Sequence, residues 1–75
     1  MSDHRKLSRQ EWIDRCALEI GVLIPLHLHD YVEEFSPALV VDWAGAIWAD
    51  TQGSEVPEEA AWHAIDEVRN VKALG

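Results

Sequence analysis

Apolar positions recur three and four residues apart along most of the chain, and this spacing predicts helices. Trp12, Ile13, Cys16, Ala17, Ile20, Leu23 and Ile24 form one such stripe. Ahead of it, Ser8 and Glu11 make an S-x-x-E capping box, in which each side chain satisfies a free backbone N–H of the first turn. A first helix is expected from about Ser8 into the low twenties. Gly21 ends it, or it continues until Pro25 stops it. Glu11–Arg15 and Arg15–Glu19, spaced i, i+4, fall on its exposed side.

A second segment starts near Pro25, a residue suited to a first helical turn, and runs to about Phe35. Leu28, Tyr31, Val32 and Phe35 share its apolar face, although the alternation in Leu26-His27-Leu28-His29 also fits a short extended piece. Ser36 and Pro37 are an N-cap and first-turn pair opening a third helix, Pro37 to Asp50. Asp42 is the only charged side chain between Pro37 and Ala49. A helix so uniformly apolar must be covered on all sides, which makes this segment the expected core. Three short neighbours can hardly wrap it. Part of it is therefore expected to meet a second copy, with Gly45 and the alanines at 44, 46 and 49 permitting close approach. Residues 51–54 read as a turn, and Pro57 opens a fourth helix reaching about Ala73, with Ala61, Ala64, Ile65, Val68, Val71 and Leu74 on its buried side. The fold class expected is all-α: a small three- to four-helix bundle, one domain over residues 1–75, with residues 1–7 loose.

Length changes the picture by limiting the core. A chain of 75 residues buries little apolar surface, so its stability is small and is commonly supplemented by a staple or a partner. Cys16 is the only cysteine, which excludes an intrachain disulfide and points to a reducing compartment, the cytoplasm. The first residues lack the apolar run of a signal peptide. The longest apolar runs, 21–26 and 37–41, fall far short of the roughly 20 residues that span a bilayer, so no membrane partner is expected.

Charge narrows the partner class. The formal net charge is -8, and between Cys16 and Val68 there are eleven acids and no lysine or arginine. All six basic residues sit towards the ends. Such a surface repels phosphate, which argues against direct nucleic-acid binding. It attracts basic protein surfaces and speeds encounter with them. The plain alternative is that the charge maintains solubility. Some of it also has a structural origin, since Glu55, Glu58 and Glu59 lie at the positive end of the fourth helix, opposite Arg69 and Lys72 at its negative end.

Candidate chemistry is sparse. His27, His29 and Asp30, with Glu33 and Glu34 a turn later, carry donor types that suit divalent metals, and His63 with Glu67 adds an i, i+4 pair. Solvated helix faces produce the same pattern, and a His-x-His pair on a helix points its rings apart. Cys16 falls on an apolar stripe, where a thiol is a small hydrophobe, and Glu33 and Glu34 are neighbours with nothing to set them across a cleft. No enzyme and no cofactor is expected. Trp12, Trp43, Trp48 and Trp62 are rich for so short a chain. Trp43 and Trp48, five apart, cannot both face one small core, so one of them is a candidate partner anchor. Trp62 sits to one side of its helix's apolar face, and Asp42 is expected to mark the wet side of the third helix.

The sequence thus points to a non-enzymatic, acidic protein-binding module, an inhibitor, adaptor or regulator that engages a basic protein surface. A narrower version is a nucleic-acid mimic. The candidate partner-binding residues are Glu33, Glu34, Asp42, Trp43, Trp48, Asp50, Glu55, Glu58 and Glu59. The alternatives are a metal-binding domain using His27, His29 and His63, or a structural subunit forming a homodimer through residues 37–50.

Overall fold

The computed structural model describes residues 7–74, and these hold no strand; the fold is all-α. Three α-helices, α1 (Arg9–His27), α2 (Pro37–Thr51) and α3 (Pro57–Leu74), are joined by a 3₁₀ helix, His29–Glu34, and a loop over 52–56. Of the N-terminal segment expected to be loose, residues 1–6 lie outside the described residues, while Leu7 packs against the core.

Local chemistry sets the boundaries. Both halves of the capping box form at the start of α1: the Glu11 N–H donates to Ser8 Oγ at 3.1 Å, and the Ser8 N–H donates to Glu11 Oε1 at 3.0 Å. The helix then passes Gly21 and carries Pro25 inside its last turn. Pro25 lacks an N–H for the carbonyl four residues back, which belongs to Gly21. Both residues are exposed, so solvent can take that carbonyl and the helix is not forced to end. The segment that follows therefore does not begin at Pro25 and is not an α-helix. It is a 3₁₀ turn with Leu28 buried at its start and Tyr31 and Phe35 half-buried, while Val32 is exposed. Ser36 caps α2 as expected, accepting from the Leu39 N–H at 3.2 Å. The chain leaves α2 through Gln52 and Gly53, both at positive φ.

The core sits on α1, which corrects the expectation that residues 37–50 form the central helix. Trp12, Ile13, Cys16, Ile20, Leu23 and Ile24 of α1 are all buried, whereas α2 buries only Val40 and Ala44. Pro57, Ala60, Ala61 and Ile65 come from α3. The apolar character of α2 is spread around the helix, so that Leu39, Val41, Ala46 and Ala49 stay exposed. Trp12 and Arg15 near the start of α1 meet Glu55 and Glu58 near the start of α3, while Lys72 near its end reaches Glu34 and Tyr31 beyond the end of α1. Helices α1 and α3 thus run the same way, and α2 runs opposite to both. Both α2 and α3 lean on α1 but scarcely touch each other.

Candidate functional site

Because α2 and α3 part, an open cleft of about 610 Å³ lies between them on the side away from α1. Its floor is apolar: Trp43, Ala46 and Ile47 from α2, Ala60 and Ala64 from α3. Residues 43, 46, 47 and 50 form one face of α2, and 60, 63, 64 and 67 form one face of α3, as 3.6 residues per turn requires. Trp43 is held by stacking on Phe35, with ring centroids 5.7 Å apart and planes 19° from parallel. The indole is therefore a fixed wall of the cleft.

Four carboxylates rim this floor: Asp50, Glu55, Asp66 and Glu67. No lysine or arginine lines it. Asp50, Asp66 and Glu67 have no ion-pair partner among the described residues; His63 Nδ1 lies 3.5 Å from Glu55 Oε1. Elsewhere the acidic side chains are partly spoken for. Arg15 binds Glu58 with two parallel hydrogen bonds of 3.1 Å, and Lys72 Nζ sits 3.0 Å from Glu34 Oε1.

The nine candidate partner residues therefore do not form one face. Trp43, Asp50 and Glu55 come together in the cleft. Glu33 and Glu34 lie on the 3₁₀ helix, Glu58 is drawn to α1 by Arg15, and Glu59 is exposed. Asp42 is exposed, on the wet side of α2 as the sequence suggested. Trp48 turns the other way, half-buried, with the Arg9 guanidinium 5.2 Å above its ring and Gly53 packed against its indole. Sequence reasoning did not place Asp66, Glu67, Ala60 or Ala64 at a partner site, although it paired His63 with Glu67 as metal donors and took Ala46 to permit close approach. Their signal was the i, i+3, i+7 series of Ala60, His63 and Glu67, a face that mixes apolar and acidic residues and so escapes a search for purely apolar stripes.

The histidines do not converge. His27 meets Trp62 edge-on at 4.9 Å between centroids, His29 sits 3.3 Å from its neighbour Asp30, and His63 faces the cleft. Among the described residues no three His, Cys, Asp or Glu side chains gather as metal ligands. Cys16 is fully buried, and burial, with the nearby Glu58 charge, pushes its thiol up to about 11. No helix among the described residues is long and apolar enough to cross a membrane. Comparison with protein-family models, with curated proteins and with solved structures finds no match.

Proposed function

We propose that this protein is a non-enzymatic, acidic protein-binding module of the cytoplasm, an inhibitor, adaptor or regulator that takes a basic protein surface into the cleft between α2 and α3. The observation that carries this reading is the pairing of an apolar floor with a rim of carboxylates that no lysine or arginine neutralises. Apolar floors supply affinity by excluding water, and unpaired charge around them supplies partner choice and encounter rate. A nucleic-acid mimic, the narrower version, needs carboxylates along a convex strip, and a concave floor bearing Trp43 favours the protein-binding form. In architectural terms the chain is a small bundle with its fourth position open.

Capture from cell extract over a salt series tests this, comparing the wild-type protein with Asp50→Lys. Basic proteins that bind the wild type, escape the variant and fall away as salt rises are the expected result. Capture unchanged by the variant removes the cleft from the account. A second reading, self-association through the side of α2 turned from the cleft, is favoured by the exposure of Val41 there. Sedimentation of the wild type and Val41→Lys separates the two, since only self-association predicts a concentration-dependent mass that the variant loses.

A further inference from the structure

We infer that the occupant of the cleft is an amphipathic basic helix of two to three turns, laid between α2 and α3 as a fourth helix. This rests on the protein-binding reading above and adds the partner's shape and charge pattern. The walls of the cleft are helices, whose backbone groups are bonded internally. An extended segment would find no free ladder there to pair with, whereas a helix arrives with its own backbone satisfied. Alanines at 46, 60 and 64 keep the floor shallow in side chain, so a helix can approach to the usual 8–10 Å between axes, an order-of-magnitude packing distance of about one helix diameter. The lining residues extend from Trp43 to Thr51 on α2 and from Ala60 to Asn70 on α3, which at a rise of 1.5 Å per residue is roughly 12 and 15 Å. That length holds two to three turns.

The charges fix the rest. Asp50 and Glu55 stand together at the loop end of the cleft, and Asp66 and Glu67 stand further along α3. The matching helix carries lysine or arginine at both ends of an apolar stripe, about ten residues apart, since Asp66 and Glu67 lie between two and three turns into α3 while Asp50 and Glu55 stand before its start. A second copy of this chain fits poorly. Its net charge of -8 sets like against like, and its few cations include Arg15 and Lys72, already bound to Glu58 and Glu34. A helix this short is marginal alone in water, so the partner segment folds as it binds.

The test uses three short synthetic peptides: an amphipathic sequence with leucine and alanine on one face and lysine at both ends, its scrambled isomer, and its glutamate twin. Binding is followed by tryptophan fluorescence and by amide NMR shifts of the labelled protein. The amphipathic lysine peptide is expected to bind, gain helicity and shift the amides of Trp43, Ile47, Ala60 and Ala64. Asp50→Lys and Ala46→Lys, both at exposed positions that keep the core intact, are each expected to weaken it by about tenfold or more, as like charge and bulk in the cleft require. The proposal is overturned if the scrambled peptide binds equally, if shifts map to Leu18, Val22 and Leu26 on the outer side of α1, or if none of the peptides binds. Loss of peptide binding with Asp50-dependent capture retained sinks the helix and leaves the cleft. Loss of both sinks the cleft as well.

Discussion

Replacing Trp12 with phenylalanine keeps an aromatic ring where α1 meets the loop before α3 but deletes the indole N–H. That N–H donates to the Glu55 carbonyl over 2.8 Å, and the residue is 2% exposed. A part-buried carbonyl left without its donor costs about 1–3 kcal/mol, to which the smaller ring adds roughly 1 kcal/mol of lost burial and imperfect refilling. The sum expected is about 2–4 kcal/mol, and in a domain of this size that lowers Tm by roughly 10–30 °C. Urea and thermal unfolding followed by far-UV circular dichroism measure it, with an unchanged urea slope showing that the unfolded state is not the cause. Trp62→Phe is the control, because Trp62 is 45% exposed and no hydrogen bond among the described residues holds its indole; its effect should stay within about 0.5 kcal/mol. A Trp12→Phe change as small as the control, or a control as large as Trp12→Phe, refutes the view that this bond fastens the loop to α1.

Gly53 has φ 73, and a Cβ there would stand 3.1 Å from Trp48 Nε1, so Gly53→Ala should cost about 1–2 kcal/mol by chemical denaturation. Gln52 holds φ 56 without being glycine, and Gln52→Gly should gain about 0.5 kcal/mol once the added freedom of the unfolded chain is set against the relieved backbone. The backbone N–H of Ser8, and then its hydroxyl, hold the Glu11 carboxyl below its usual value, so the stability it contributes is present at neutral pH and is lost as pH falls through that lowered value. Glu11→Gln should therefore show a shallower acid limb than the wild type in urea titrations repeated at each pH. Cys16 has the opposite sign: burial raises its thiol from 9.0 to about 11, so folding stability holds below pH 9 and declines as pH climbs towards 11, a limb absent from Cys16→Ala. Alkylation of Cys16 at pH 8 should be slow in the native protein and rapid in urea.

The helices were legible because capping and punctuation are local. Ser8 with Glu11, Ser36 with Pro37, and Pro57 each announce a start that adjacent atoms enforce. The identity of the central helix was not legible, since hydrophobicity alone cannot say what lies opposite. Residues 37–50 look like a core because they lack charge, yet much of that apolar content is alanine, whose small side chain costs little to expose. Helix α1 looks amphipathic because Asp14, Arg15 and Glu19 punctuate it, yet its one stripe is broad enough to seat two helices. Pro25 misled for a related reason: its cost depends on whether the Gly21 carbonyl faces water, which only the packing decides. The cleft was half legible. Trp43, Asp50 and Glu55 were candidates from the sequence, but their company with Asp66 and Glu67 depends on α2 and α3 standing apart, a property of three helices together.

That separation makes the two outer helices near-strangers to each other in thermodynamic terms. Damage in the seam of Val40 and Ala44 and damage in the seam of Ala61 and Ile65 should add with little interaction, because among the described residues α2 and α3 meet only slightly and communicate mainly through α1. Whatever spans both walls would turn two independent attachments into one cooperative unit.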